Sequence, residues 1–319
     1  MNRDTKGGKM AGIDFKKRMQ NFSEKDEILA FNLALVSEGL EIVKDLSDKN
    51  IGWEEVEKRL GEYKSWDPDI LKVDKDTENT YRKRLEQWGR PVILLSEEAG
   101  RVEINTDKKG ELLYAVCDPF DGSYLFKHGI KDFWYSSVAF YDRDFNPVCC
   151  CVGDCVSGKI AYASKQGAYL ADIEEARIKK EVKLDRKYRQ QMGRPDVTEM
   201  EGASIESYAM KPKKFLIPLV ERYKDFMLPF KFFLPNGGPY GFVDVAEGKI
   251  DVYFAMKQPF VDVFSGIFIA EQAEIVVTDF KGNKVRCSDN VKTVLDVVVS
   301  TNPVLHEKVL RKIQECEGR

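Results

Sequence analysis

The sequence predicts a layered α/β fold, on two observations. Stretches with apolar residues at helical spacing are interleaved with short apolar runs of strand length, and neither kind is confined to one end of the chain. Several strand-like runs also finish in acids or in a glycine turn, as strands do where they meet a loop. At 319 residues the chain can bury a large core, as one α/β unit or as two closely packed halves.

Residues 26–48, DEILAFNLALVSEGLEIVKDLSD, have helical periodicity, and IGWEEVEKRLGEYK reads as a second amphipathic segment. After the loop SWDPDILKVDKD, the run TENTYRKRLEQWG predicts a helix closed by Gly89 and Pro91. PVILLSEE is a short strand that delivers acids at its C-terminal end, and ELLYAVCDPFDGS repeats that plan. WYSSVAFYDRDFNPVCCCVGDCVSGKIAYASKQGAYL alternates strands and turns as an antiparallel meander does. Residues 173–200 are strongly charged and poor in core residues, which predicts a solvated helix or surface excursion and a boundary between two halves. The halves are expected at 20–175 and 200–319, with residues 1–19 flexible. Beyond the boundary SIESYA and KIDVYFAM predict strands, and KKFLIPLVERYKDF and DVFSGIFIAEQA predict helices. LDVVVSTNPVLHEKVLRKIQEC closes the chain as a strand and a helix.

Composition narrows the class of function. With 43% hydrophobic and 32% charged residues and a formal net charge of −3, the chain carries no electrostatic footprint for nucleic acid or an anionic membrane. No run approaches the roughly 18 apolar residues of a membrane span. The first residues, MNRDTKGGKMAGIDFKKRMQ, lack the apolar core of a secretory signal, so a cytoplasmic protein is expected. Among the seven cysteines, Cys149, Cys150 and Cys151 are consecutive and Cys155 follows closely. Only His128 and His306 could complete a zinc site, and neither is near in sequence, so the cysteines read as small apolar strand residues. Their odd number also argues against a disulfide framework.

Three sets of acids fall at element ends. Glu97 and Glu98 follow PVILLS, Asp118 and Asp121 follow ELLYAVC, and Asp262 stands in FVDVFSG where a helix should begin. Each has an ordinary reading as a solvated loop, a turn or an N-cap. Gathered on one sheet edge they would repel unless a cation sat among them, and Mg²⁺ suits a few carboxylates plus water and phosphate. CDPFDGS predicts a tight turn shaped by Pro119 and Gly122, aiming Asp118, Asp121 and the Phe120 carbonyl at one point. If LFKHG is helical, the amides of Gly122, Ser123 and Tyr124 open an anion site beside those acids. Metal next to a phosphate cradle points to phosphoryl transfer.

Five stretches, in order, resemble the lithium-sensitive, magnesium-dependent phosphomonoesterases, the superfamily of inositol monophosphatase and fructose-1,6-bisphosphatase, in particular its archaeal members. VDKDTE at 73–78 is similar to the acidic loop-to-helix segment, and SEE at 96–98 to Gly-Glu-Glu with serine for glycine. DPFDGS matches Asp-Pro-x-Asp-Gly-Ser/Thr in full. VDVFSG at 261–266 resembles Trp-Asp-x-x-Ala-Gly with valine for tryptophan and serine for alanine, and STNPVLHEKVL at 300–310 resembles the Ser-Asn-Pro-x-Leu-His tail. The resemblance implies an α-β-α-β-α sandwich with mixed, largely antiparallel sheets, and a homodimer. It implies that Glu97, Asp118, Asp121 and the Phe120 carbonyl bind Mg²⁺ and that Asp262 joins Asp118 and Asp121 at a second ion. Glu98 would be a further ligand or a base behind the ligands, for two or three ions in all. Asp74 and Ser123 would activate the attacking water, with the phosphate on the Gly122 and Ser123 amides. Helix capping is the competing reading of both Asp74 and Ser123.

The resemblance implies a small phosphate ester as the partner. The position where inositol phosphatases place an acid against substrate hydroxyls is Ala255 here, with Lys257 just beyond. A basic residue there, with Lys211, Lys213 and Lys214 in SIESYAMKPKK, suits a second phosphate or a more anionic sugar. NGGPYGFVDVAEG puts a glycine-rich turn where relatives start a helix with small residues, so that wall is expected to have an unusual shape. The expected activity is Mg²⁺-dependent hydrolysis of inositol-1-phosphate, fructose-1,6-bisphosphate or both. A 3′-phosphoadenosine 5′-phosphate phosphatase, or a catalytically dead member that binds sugar phosphate, are the alternatives.

Overall fold

The computed structural model describes residues 13–59, 64–194 and 196–318. Helix α1 (Phe15–Asn21) starts at Asp14, whose carboxylate accepts from the Lys16 and Lys17 amides, and α2 (Glu27–Asp48) is capped by Asp26 in the same way. Strands β1 (Glu55–Lys58) and β2 (Asp69–Leu71) pair before α3 (Lys72–Trp88), which stops at left-handed Gly89. Then come β3 (Val92–Ser96), β4 (Gly100–Ile104), β5 (Leu113–Asp121), the short α4 (Ser123–Lys127) and β6 (Tyr135–Tyr141). The meander continues through β7 (Pro147–Asp154), β8 (Lys159–Ser164), β9 (Gly167–Glu174) and β10 (Arg177–Leu184). α5 (Arg186–Gln191) leads to β11 (Ser204–Glu206), α6 (Ile217–Met227), β12 (Phe232–Leu234), α7 (Pro239–Ala246) and β13 (Val252–Pro259). α8 (Phe260–Phe264), α9 (Ile267–Gln272), β14 (Val276–Asp279), β15 (Val294–Ser300) and α10 (Pro303–Glu317) complete the chain.

Two sheets organise these elements. The first has eight strands in the order β10-β9-β8-β7-β6-β5-β3-β4, antiparallel except where β3 runs parallel to β5. The second has five, β12-β11-β13-β15-β14, with β11 parallel to both neighbours. Strand alternation sorts their side chains into layers. From the first sheet Leu94, Ala115, Val138 and Phe140 pack with α2 and α3, while Leu95, Val116, Ala139 and Tyr141 pack with α7, α8 and α9. From the second, Ala255 and Val299 face that same helical layer, and Phe254 and Val298 face α6 and α10. The result is the α-β-α-β-α sandwich, with mixed and largely antiparallel sheets. All seven cysteines are buried thiols; Cys149 and Cys151 fall on one face of β7 and Cys150 on the other. No described helix is long and apolar enough to cross a membrane.

Four expectations change. Of the segment 51–64 read as amphipathic, residues 60–63 lie outside the described residues and Glu55–Lys58 forms strand β1, all four of whose side chains are exposed, so backbone pairing with β2 decides its conformation rather than burial of a helical face. The charged stretch from residue 173 carries on as β9 and β10, an edge strand of the first sheet whose exposed lysines and glutamates suit an edge that must stay unpaired. Of the segment expected to be flexible, residues 1–12 lie outside the described residues. Phe15–Asn21 is a helix anchored by buried Phe15 and by Arg18, which bonds Ser37 and Glu41 of α2. Finally, CDPFDGS is not a free turn: β5 runs through it to Asp121.

Candidate active site

The end of β5 is where the strand rule is broken to advantage. Residues three apart on a regular strand point to opposite faces. Here Asp118 pairs with Ser137 and Asp121 with Tyr135, two residues apart on β6, so β5 carries one extra residue at Pro119–Phe120. Proline has no N–H to give the ladder, which favours a bulge at this point. The bulge restores both aspartates to one side of the sheet, and Phe120 stands at it. Gly122 then turns the chain into α4 at φ 109°, where a Cβ would lie 2.5 Å from the Phe133 carbonyl oxygen.

Parallel pairing brings the next acids alongside. Ser96 lies opposite Cys117, and the Glu97 amide donates to the Cys117 carbonyl at 3.2 Å, so Glu97 and Glu98 emerge beside Asp118. Asp262, in the first turn of α8, arrives from the other sheet. Glu97, Asp118 and Asp262 each offer an oxygen within 4.8 Å of the others. Asp118 Oδ2 and Asp262 Oδ1 are buried and make no hydrogen bond. Convergent carboxylates with buried oxygens left over fit a hard divalent cation. Asp121 is adjacent: burial, then the charge of Asp262, pushes its carboxyl well above the usual carboxylate range. Burial does the same to Asp118, helped by the charges of Glu97, Asp121 and Asp262.

Two cations that sequence reading missed sit among these acids. Arg59 Nη2 donates to Glu97 Oε1 at 2.7 Å and also to Glu98 Oε1, and Lys64 Nζ is 2.6 Å from Glu97 Oε2 and 3.9 Å from Asp262 Oδ1. Burial alone would raise the Glu97 carboxyl; Lys64 and Arg59 outweigh it and hold it at about 2. Glu98 goes the other way, pushed up to about 8 by burial and by the charge of Glu97. Nothing local in EKRLGEYKSWD marks Arg59 or Lys64, because what selects them is a three-dimensional cluster formed by other elements. Tyr208 also faces this group, its hydroxyl held ionisation-resistant by burial and then by the charge of Asp121.

Asp74 joins the cluster through Ser123. Its Oδ2 accepts the Leu71 amide at 2.7 Å, a capping bond, and its Oδ1 accepts the Ser123 hydroxyl at 2.5 Å. The capping and the site readings of Asp74 therefore coexist, one on each oxygen. Burial pushes Asp74 up to about 7, against the pull of those two bonds. One helical turn on, buried Glu78 accepts the Ser96 hydroxyl and the Ala99 amide, tying α3 to the turn that presents Glu97 and Glu98. The spacing of Asp74 and Glu78 on one helix face was a readable signal for that second contact.

Other expected positions do not come together. Lys257, on a bulge of β13, bonds Asp296 through both its amide, at 2.8 Å, and its Nζ, at 3.1 Å. Lys211 instead reaches toward the site rim, 2.6 Å from Asp67 Oδ1 and above the Tyr124 ring at 5.9 Å. Lys214 lies over Trp66 at 4.4 Å. In the tail motif His306 bonds Ser300 and Thr278, so it fastens α10 to β15 and β14.

The model of the inositol monophosphatase family matches residues 24–317. The chain belongs to the inositol monophosphatase family. Like the family, it is a phosphoric monoester hydrolase. A fructose-1,6-bisphosphatase/inositol-1-monophosphatase of Methanothermobacter thermautotrophicus is 23% identical over 232 residues, 72% of this chain and 78% of that protein. Among solved structures, the extragenic suppressor protein SuhB of Bartonella henselae matches with a TM-score of 0.70 at 15% identity, over 91% of this chain and 99% of its own. An inositol monophosphatase of Thermotoga maritima matches with a TM-score of 0.66 at 15% identity, over 92% and 99%. The five layers are therefore those of the inositol monophosphatase fold.

Proposed function

We propose that this chain hydrolyses a small sugar or cyclitol phosphate with Mg²⁺, with Asp74 and Ser123 handling the proton of the attacking water. The observation that carries the reading is the Ser123–Asp74 hydrogen bond of 2.5 Å beside the convergent Glu97, Asp118 and Asp262 oxygens. Glu97, Asp118, Asp121, Asp262 and the Phe120 carbonyl would hold two ions. Bound there, Mg²⁺ supplies the positive charge that phosphoryl transfer needs on its oxygens. Asp74, anchored at Oδ2 by the Leu71 amide, is placed to take the Ser123 proton at Oδ1, which leaves Ser123 Oγ free to accept a proton from water. The amides of Gly122 and Ser123 would receive the phosphate. Glu98 is already engaged by Arg59, which supports two ions rather than three.

For the ester itself, Ala255 is fully buried and brings no carboxylate to sugar hydroxyls, while Lys211 adds positive charge at the rim near Tyr124. Both features suit a more anionic ester, so fructose-1,6-bisphosphate is the better match and inositol-1-phosphate the second candidate. Neither the nucleotide phosphatase nor the catalytically dead alternative is favoured by any residue in the site. Phosphate release should be measured against these esters and 3′-phosphoadenosine 5′-phosphate, with and without Mg²⁺ and with added Li⁺. Turnover of a sugar or cyclitol ester only with Mg²⁺, and inhibition by Li⁺, is expected. Metal-independent turnover, or none with any ester, would sink the reading.

A further inference from the structure

The glycine-rich turn Asn236–Gly237–Gly238 has no place in the chemistry above, yet its backbone is packed directly against Asp121. Gly238 has φ 71° and ψ −159°, a region that is essentially glycine's alone. A Cβ built there would lie 2.3 Å from Asp121 Oδ2. Gly237 backs onto Tyr208, with a Cβ position 2.9 Å from the Tyr208 Cβ. The turn is therefore a wall with no slack between the carboxylate on one side and an aromatic ring on the other.

What holds that wall is a second, separate group of buried polar side chains. Asn236 Nδ2 donates to Glu206 Oε1 at 2.9 Å and to the Tyr135 hydroxyl at 3.4 Å. Glu206, fully buried at the end of β11, has its other oxygen, Oε2, left without a donor. Burial, then the charge of Asp244 of α7, the helix that follows the turn, pushes the Glu206 carboxyl well above the usual carboxylate range, and Asp244 lies 3.3 Å from Lys249 Nζ. Tyr135 completes the arrangement: its ring stacks on Tyr240 of α7 at 4.6 Å and 7°, and its backbone is paired with Asp121 across the β5–β6 ladder.

We propose that Glu206 and Asn236 are positioning residues for Asp121, fixing Gly238 as the stop against which the carboxylate is oriented toward Asp118 and Asp262. The inference rests on Asp121 being a metal ligand. It makes a demand that simple packing does not. Glutamine at position 206 keeps the length of the side chain and an oxygen that can accept from Asn236, whereas leucine fills the space and cannot accept.

The test is Mn²⁺ affinity by calorimetry on the full chain, with kcat, KM and the melting temperature measured beside it. Glu206→Gln is expected to keep wild-type Mn²⁺ affinity and kcat. Glu206→Leu should weaken Mn²⁺ binding about 10- to 100-fold, the usual cost of removing a group behind a metal ligand, and lower kcat more than it changes KM. Asn236→Asp, which sets an acceptor against an acceptor, should behave like Glu206→Leu and keeps the test open should the leucine variant not fold. Wild-type Mn²⁺ affinity in a folded Glu206→Leu or Asn236→Asp variant overturns the proposal, and so does an equal loss in Glu206→Gln. Asp121→Asn serves as the reference. If it too binds Mn²⁺ normally, the metal reading of the site fails; if it alone loses Mn²⁺, only the positioning inference fails.

Discussion

The molecule buries acids in two places and arranges them differently. Around Asp118, the carboxylates of Glu97, Asp121 and Asp262 meet the two cations Arg59 and Lys64, and Asp118 Oδ2 and Asp262 Oδ1 still accept no N–H hydrogen bond. Around Glu206, the acids Glu206, Asp244 and Glu247 meet the one cation Lys249 and the side-chain amide of Asn236, and Glu206 Oε2 too is left without a donor. Ionised carboxylates are costly to bury without counter-charge, and both groups hold more acids than cations. What sets the first apart is that oxygens from three separate elements converge within 4.8 Å of one another.

The sharpest way to break this contrast is Asp121→Asn. Turnover should fall by roughly a thousandfold or more, as expected when several kcal/mol of charge stabilisation goes, while the melting temperature stays within a few degrees of wild type. Near-full activity in that variant would remove Asp121 from the first group. Next comes Ser123→Ala, for which kcat should drop about 10²- to 10⁴-fold with Mn²⁺ affinity unchanged, because in the proposed function the hydroxyl serves proton transfer. A matching loss of Mn²⁺ affinity would make Ser123 a structural member of the cluster instead.

A smaller effect is read from pH; burial raises Glu206 and Asp244 as well, so the two groups share its sign and only the part that responds to Mg²⁺ belongs to the first. In the metal-free protein burial pushes Asp74, Glu98 and Asp262 up to about 7, about 8 and about 6, and raises Asp118 and Asp121 as well. Their native forms keep protons that the unfolded chain has released, so this contribution to stability is complete below about pH 4 and is lost as pH rises to about 8. Glu97, held at about 2, has the opposite sign: its contribution is present above its unfolded value and disappears only in strong acid. The melting temperature without metal should therefore decline between about pH 5 and about pH 8, and saturating Mg²⁺ should flatten that decline. A rise over the same range in the absence of metal would contradict the charge deficit. The smallest effect is expected from Lys257→Ala, which removes an exposed ion pair worth roughly 0–1 kcal/mol and should leave KM within about twofold of wild type.

What could be read from the sequence was whatever is written locally. Apolar periodicity marks α2, β3, β5 and β15, and the acids at the ends of β3 and β5 stand out because they interrupt apolar runs. The five layers came from the resemblance, since no local pattern says which strand faces which helix. CDPFDGS stood out as a candidate site but was illegible as a conformation: its turn residues are real turn formers, but pairing with β6 keeps the chain extended, and Pro119 makes a bulge where a loop was expected. Arg59 and Lys64 look like any charged surface residues until the acids of three other elements close around them. Lys257 failed for the reverse reason, because a strand bulge gives it Asp296 as a partner across the sheet.

Asp262 is supplied by α8, whereas Glu97 and Asp118 belong to the first sheet, so the three acids meet only where the two sheets are packed together. During synthesis the first sheet is complete once β10 has emerged, and it then carries acids with nothing opposite them. No nascent chain shorter than residue 262 can hold all three acids, and a cut in the stretch between β10 and β11 would leave two fragments that each lack part of the cluster. On the proposed function, competence would thus arrive late, only once both sheets have been made and packed together.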